Sequence, residues 1–105
     1  MPTLDLPAEE LGILQRILAQ YAPRAEVLAY GSRVTGAAHE GSDLDLVVRY
    51  PDNESQPELS QLREALSESD LPILVDVHDG SRIPKSFWRE IEKAHVVLQR
   101  AEDRG

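Results

Sequence analysis

Three stretches of the chain repeat apolar residues at steps of three and four positions, the spacing of one face of an α-helix. The first runs from Pro7 to Tyr21, the second begins at Leu59 after a capping-box spacing over 55–58, and the third follows Pro84. Proline is tolerated in the first turn of a helix, because its missing N–H has no intrahelical partner there. The pattern therefore predicts three amphipathic helices. Their apolar positions are Leu11, Leu14, Ile17, Leu18 and Tyr21, then Leu59, Leu62, Ala65 and Leu66, then Phe87, Trp88, Ile91 and Ala94.

Shorter apolar runs alternate with these helices and predict strands. They cover Glu26–Tyr30, Asp43–Tyr50 and Ile73–His78, with a short edge strand at 96–98. The run over 43–50 becomes continuously apolar, which is typical of a central strand. Turns are predicted at 51–53 and at Asp79-Gly80. Because helices and strands alternate, we predict an α+β (α/β-like) fold, a small sheet flanked by helices, in a single domain over 1–105.

Composition narrows the class of protein. The net charge of −8 argues against general affinity for DNA or RNA, which depends on clustered Lys and Arg. The chain has no cysteine, which excludes disulfides and thiolate metal sites. Its N-terminal stretch does not have the pattern of a signal peptide, and no apolar run approaches the roughly 20 residues of a membrane-spanning helix. We therefore expect a cytoplasmic location.

The candidate chemistry lies in a pair of aspartates that follows a glycine turn by ten residues. Alternate residues of a strand face the same way, so Asp43 and Asp45 share one face while the leucines beside them enter the core. Asp76 lies in another apolar strand and completes a triangle if the two strands are neighbours. Two like charges 4 Å apart repel by about 4 kcal/mol at an effective dielectric near 20. Such a cluster is suited to Mg²⁺ or Mn²⁺, although solvent-facing acids are the alternative.

The glycine turn itself is a candidate phosphate site. Glycine can adopt a positive φ, and a serine after it can cap a short helix whose free N–H groups face an anion. Gly31 and Ser32 are thus predicted to hold the phosphates of a nucleotide, with an ordinary helix cap as the alternative. Arg33 and Ser42 are further nucleotide-binding candidates, and Gly36 keeps the connection to the next strand compact.

The Gly-Ser step at 31–32, ten intervening residues, Asp43 with Asp45, and the later Asp76 together resemble the nucleotidyltransferase signature of the DNA polymerase β superfamily. The ending IPKSFWREIEKAHVVLQ is similar to that of the stand-alone minimal nucleotidyltransferases. The resemblance implies a nucleotidyltransferase fold with a small mixed β-sheet. It also implies that Asp43 and Asp45 bind two Mg²⁺ ions, with Mn²⁺ as a substitute, and that Asp76 ligates the catalytic ion and helps activate an acceptor hydroxyl.

The resemblance further implies a reaction and a partner. Many minimal nucleotidyltransferases resemble antitoxins that transfer AMP from ATP onto a tyrosine of a small helical HEPN-type toxin. We therefore expect a nucleotidyltransferase with ATP as substrate, acting as such an antitoxin. The chain departs from the family pattern at Thr35, where members often carry a second basic residue, and over 37–40, where the loop reads AAHE.

Two alternative functions remain open. The loop over 35–40 has fewer basic residues than is usual in the family, which is compatible with a non-catalytic antitoxin that neutralises its partner by occlusion. Transfer to a small molecule such as an aminoglycoside is the other alternative. The first alternative is tested by asking whether a variant with Asp43 and Asp45 replaced by asparagine still neutralises the toxin. The second is tested by a substrate screen with the purified chain alone.

Several single residues also have competing interpretations. Asp79 competes with Asp76 as the third acidic ligand, but its Asp-Gly sequence favours a turn. Arg33 has a surface position as the alternative to phosphate binding. His78 shares the face of Asp76 and is interpreted mainly as an edge residue. The pair at 87–88 is expected in the core, with one ring facing a partner as the alternative.

Overall fold

The computed structural model describes residues 3–36, 42–50 and 59–101. These residues form a four-stranded sheet flanked by helices, which confirms the predicted α+β class. The strands are β1 (Glu26–Tyr30), β2 (Leu44–Arg49), β3 (Val75–Asp79) and β4 (Val96–Gln99). The helices are α1 (Ala8–Tyr21), α2 (Ser32–Thr35), α3 (Ser60–Ser67) and α4 (Lys85–Lys93), with a 3₁₀ turn at Gly80–Arg82.

The strand order is β3-β2-β1-β4. β1 runs antiparallel to both β2 and β4, whereas β2 and β3 are parallel. The sheet is therefore mixed, and β2 is an inner strand, as the continuous apolar run predicted. β4 lies at one edge, also as predicted. The expected adjacency of the two aspartate-bearing strands is confirmed.

Each face of the sheet is covered by different helices. α1 and α3 pack on one face, where most of the buried apolar side chains lie, and α4 packs on the other. β2 contributes side chains to both faces. Leu44, Leu46 and Val48 enter the core beneath α1 and α3 (the first core), while Val47 enters the core beneath α4 (the second core). Asp45 follows the same alternation as Val47 and faces the side of α4. The first core includes Leu14, Leu18, Val27, Ala29, Leu62, Leu66 and Val77; the second includes Leu28, Tyr30, Val47 and Ile91.

The ends of several elements differ from the sequence prediction by one or two residues. β2 begins at Leu44 and not at Asp43, because its pairing with β3 starts at Leu44, opposite Val75, and its pairing with β1 starts at Asp45, opposite Tyr30. β3 begins at Val75 and not at Ile73, because its pairing with β2 starts at Val75, opposite Leu44. Pro7 and Pro84 occupy the N-cap positions of α1 and α4, one residue before the first turn.

Two predicted features lie outside the described residues, namely the turn at 51–53 and the capping box at 55–58. The loop over 37–40, where the chain departs from the family pattern, also lies outside them. Within the three described ranges, no helix is long and apolar enough to cross a lipid bilayer.

Candidate active site

Asp45 and Asp76 occupy paired positions on the adjacent parallel strands β2 and β3. Residues that pair in register on neighbouring strands point to the same face, so the two carboxylates converge. Together with His78 they form a group whose potential ligand atoms all lie within 4.8 Å of one another. The structure therefore brings together two of the three predicted acids, and it does so at the start of both strands.

His78 is the residue of this group that the sequence prediction did not place among the site residues. Its Nε2 lies 3.1 Å from Oδ2 of Asp76, two residues earlier on β3. β3 is an edge strand, so the interpretation of His78 as an edge residue is correct. The signal was its spacing of two from Asp76, which places both side chains on one face of a strand.

Asp43 lies one residue before β2 and is exposed. It falls outside the three-residue group that the described part of the chain forms. Its charge nevertheless acts on the site, since it contributes to raising the pKa of the Asp45 carboxyl. The predicted sharing of a metal between Asp43 and Asp45 stays a prediction.

Gly31 connects the sheet to the short helix α2 directly beside Asp45. Its φ of 87° and ψ of −159° are favourable only for glycine. A Cβ atom added there would lie 2.5 Å from Oδ2 of Asp45, so the carboxylate packs against the glycine backbone. Gly31 occupies the N-cap of α2, whereas Ser32 was expected to cap it. Ser32 is instead the first helical residue, and no side chain of the described residues caps this end.

Arg33 is buried, with 7% of its surface exposed, so the alternative of a surface position is wrong. Its Nε donates to the Ser42 carbonyl at 3.0 Å, and its Nη1 donates to the Asp5 carbonyl at 2.9 Å. The side chain thus joins α2 to the N-terminal segment and to the residue just before Asp43. The nucleotide-binding roles of Arg33 and Ser42 stay predictions.

Asp79 belongs to the turn after β3. Its Oδ1 accepts hydrogen bonds from the backbone N–H of Ser81 at 2.9 Å and from the Ser81 hydroxyl at 2.7 Å. Arg82 adds an ion pair at 3.7 Å. The predicted turn at this position is therefore confirmed, and Asp79 lies outside the acidic group of the described residues that could hold an ion.

The electrostatics of the site disfavour negative charge. Burial, the charge of Asp76 and the charge of Asp43 raise the pKa of Asp45, and only His78 opposes them. Burial, followed by Asp45 and Asp76, raises the pKa of Tyr30 to about 12. Two converging carboxylates, one of them with a raised pKa, provide the setting in which a divalent cation would be stabilised.

An aromatic wall, formed by Tyr30 and Phe87, borders the acidic cluster. The centroid of the Tyr30 ring lies 6.1 Å from that of the His78 ring. Tyr30 also meets Phe87 edge-on, with the ring centroids 5.6 Å apart. Phe87 is 38% exposed, so the expectation of a core position is wrong for this ring. Trp88 packs into the second core, and its Nε1 donates to the Gly80 carbonyl at 3.0 Å.

A mixed sheet that brings two aspartates together beside a glycine turn and a short helix is typical of nucleotidyltransferase domains. The sequence model of the nucleotidyltransferase domain family matches residues 11–104. The chain belongs to this family.

Known proteins similar to the chain include a curated relative and a solved structure. The probable protein adenylyltransferase MntA of Haemophilus influenzae is 42% identical over 99 residues, which is 94% of this chain and 87% of that protein. A crystal structure of a toxin-antitoxin with AMP-PNP superposes with a TM-score of 0.70 at 20% identity. That superposition covers 88% of this chain and 74% of the other, and it shows a shared fold.

Proposed function

We propose that this protein is a metal-dependent nucleotidyltransferase that transfers AMP from ATP to a hydroxyl group of a protein partner. The observation that carries the proposal is the convergence of Asp45 and Asp76 beside the Gly31 turn. The acceptor we propose is a tyrosine of a HEPN-type toxin, which the transfer would silence in the cytoplasm. Membership of the nucleotidyltransferase family supports the type of reaction.

The donor set fits a divalent cation, because two carboxylates and an imidazole nitrogen lie close together in a site that disfavours uncompensated negative charge. Asp45 and Asp76 would hold Mg²⁺ or Mn²⁺, with Asp43 as a further ligand. When bound, such an ion neutralises charge on the phosphates and polarises the reacting oxygens.

The chain's own groups would order the substrates around the cluster. The acceptor oxygen attacks the α-phosphorus, the bond from that phosphorus to the bridging oxygen breaks, and pyrophosphate leaves. In our proposal Asp76 helps to remove the proton of the acceptor hydroxyl. The backbone of Gly31 and the start of α2 would lie against the triphosphate, because the glycine leaves room for close approach.

The proposed acceptor depends on the relatives. MntA is described as a probable protein adenylyltransferase, which supports a protein as acceptor. The similar crystal structure is described as a toxin-antitoxin with AMP-PNP, which supports a toxin as partner and an adenine nucleotide as donor.

The test is label transfer from α-labelled ATP and Mg²⁺ to the purified product of the neighbouring gene. We expect labelled partner with the wild-type chain, and a loss of at least about 100-fold with Asp45→Asn or Asp76→Asn. Asp79→Asn is the matched control, because that carboxylate belongs to the turn and should be dispensable for transfer. Replacement of the labelled partner tyrosine by phenylalanine should remove the label. Absence of transfer by the wild-type chain would contradict the proposal.

A second candidate function is an antitoxin that acts by occlusion. The observation that favours it is the burial of Arg33, which was expected to bind the nucleotide. Its guanidinium instead donates to two backbone carbonyls of the chain itself. Under this alternative, the double variant Asp45→Asn with Asp76→Asn still neutralises the toxin in cells. Loss of neutralisation by a double variant that still forms the complex would exclude occlusion.

A further inference from the structure

We infer that His78 is a direct metal ligand that makes this a mixed carboxylate-imidazole site and shifts its preference from Mg²⁺ toward Mn²⁺. The inference rests on the proposed metal-dependent function and adds to it the identity of a ligand and a selectivity. It concerns a residue that stands on β3 beside Asp76 and faces the same side of the sheet.

The spacing of the donor atoms supports ligation. Divalent ions of this class form bonds of about 2.0–2.2 Å, so adjacent ligands of an octahedral ion lie about 3 Å apart. His78 Nε2 and Asp76 Oδ2 form a hydrogen bond at 3.1 Å, and the same separation suits two adjacent ligands of one ion. The ligand atom of Asp45 lies within 4.8 Å of both, so small side-chain rotations would complete three sites around one ion.

The surroundings of His78 hold its ring toward the cluster. The centroid of the Tyr30 ring lies 6.1 Å from that of the His78 ring. Tyr30 is buried, with 8% of its surface exposed, so it bounds the His78 ring on one side. Arg63 of α3 donates to the carbonyl of Val77 at 2.9 Å, which secures the edge strand between Asp76 and His78. The His78 side chain remains 37% exposed, so an ion and its water ligands have access.

The selectivity follows from ligand chemistry. Mg²⁺ prefers oxygen ligands and retains its water, whereas first-row transition ions gain more from an imidazole nitrogen. Mn²⁺ also accepts the carboxylates and phosphates of such a site. A nitrogen donor at position 78 therefore adds affinity for Mn²⁺ without an equal gain for Mg²⁺.

The experiment measures Mn²⁺ binding by electron paramagnetic resonance, and Mg²⁺ binding by competition, in the full chain with and without α,β-methylene ATP. Wild type is compared with His78→Ala and His78→Asn, and with His95→Ala as control. His95 follows α4, where its Nδ1 contacts the Ile91 carbonyl at 3.1 Å. We expect His78→Ala to weaken Mn²⁺ binding about tenfold or more and Mg²⁺ binding less than about threefold. His78→Asn, with an oxygen donor, should lose the Mn²⁺ preference but retain Mg²⁺.

Spin-echo modulation from ¹⁴N provides a second measurement of direct ligation. We expect imidazole modulation on bound Mn²⁺ in wild type and His95→Ala, and its loss in both His78 variants. Persistent modulation in the His78 variants, or equal weakening of both metals, would overturn the inference. Thermal unfolding verifies that each variant is folded.

The same measurements separate this inference from the proposed function. If wild type binds both ions, and Asp45→Asn abolishes binding while His78→Ala changes neither affinity, only the role of His78 fails. If wild type binds neither ion even with the nucleotide analogue, the metal-dependent function fails as well.

Discussion

The carboxylate of Asp45 lies against the backbone of Gly31, so closely that a Cβ atom on the glycine would be 2.5 Å from Oδ2. Gly31 also has a φ of 87°, in the region that L-amino acids rarely adopt. Two independent constraints, one on backbone conformation and one on space, therefore require glycine here. The position of the acid and the direction of the chain into α2 depend on the same residue.

This double constraint can be separated by two matched substitutions. Gly36 also has a φ of 87°, but a Cβ there would meet no atom of the described residues within 4 Å. Gly36→Ala should therefore lower the free energy of unfolding by about 1 kcal/mol, from backbone strain alone. Gly31→Ala should lower it by about 2 kcal/mol or more and should displace Asp45. Urea unfolding and Mn²⁺ binding measure the two effects, and equal losses in both variants would contradict this explanation.

Asp45→Asn is expected to stabilise the metal-free protein while abolishing activity. Burial and the charge of Asp76 raise the pKa of Asp45, so folding favours its protonated form. That contribution is fully present below the ordinary carboxyl pKa and is lost as pH rises through the raised value. At pH 7 the neutral amide should therefore increase the free energy of unfolding by roughly 1 kcal/mol.

Chemical denaturation at several pH values, with and without Mg²⁺, measures this effect. The advantage of Asp45→Asn should shrink as pH falls, and saturating Mg²⁺ should stabilise wild type alone. Asp79→Asn is the control, because its carboxylate accepts hydrogen bonds from Ser81 and should not gain stability on losing its charge. A variant less stable than wild type at pH 7 without metal would contradict the prediction.

Arg33→Met is expected to be strongly destabilising. The substitution keeps much of the side-chain volume but leaves the carbonyls of Ser42 and Asp5 without their guanidinium donor. Loss of two hydrogen bonds from a buried charged group should lower the free energy of unfolding by about 2–4 kcal/mol. The exposed Arg82 provides the comparison, since Arg82→Met should cost less than about 0.5 kcal/mol. Similar costs at both positions, measured by urea unfolding, would be evidence against a structural role for Arg33.

Stability should fall at alkaline pH because of buried tyrosine. Tyr50 is 8% exposed, and burial raises its pKa. The neutral phenol is therefore favoured in the folded state, and stability is lost as pH rises above the ordinary phenol value of about 10. The free energy of unfolding of Tyr50→Phe should decline less steeply than that of wild type between about pH 10 and 11. Between about pH 7 and 9 the two free energies should change with pH in the same way. Identical slopes at high pH would rule out this contribution.

The periodicity of the sequence predicted the elements that carry the site. β1 has the bounds expected from its apolar run, and the alternation within 43–50 placed Asp45 opposite the leucines that enter the main core. The convergence of Asp45 with Asp76 required one further assumption, that their strands are neighbours. Once the strands are taken as neighbours, the local pattern is sufficient, because β2 and β3 pair in parallel without any irregularity between Leu44 and Val48.

Other features depended on contacts that no local pattern contains. The burial of Arg33 results from a hydrogen bond to Asp5, a residue 28 positions earlier. Asp43 lies outside β2 because the pairing with β3 starts at Leu44 and the pairing with β1 starts at Asp45. His78 had the correct spacing, but its contact with Tyr30 required the antiparallel placement of β1.

The parallel pairing of Asp45 with Asp76 also limits how the sequence can change in length. Deleting one residue from β3 ahead of Asp76 would exchange its two faces. Valines would then point toward the Asp45 carboxylate, and the acid and the imidazole would be buried among aliphatic side chains. Evolutionary insertions and deletions should therefore be confined to the connecting segments, so that relatives with an active site keep β2 and β3 free of gaps.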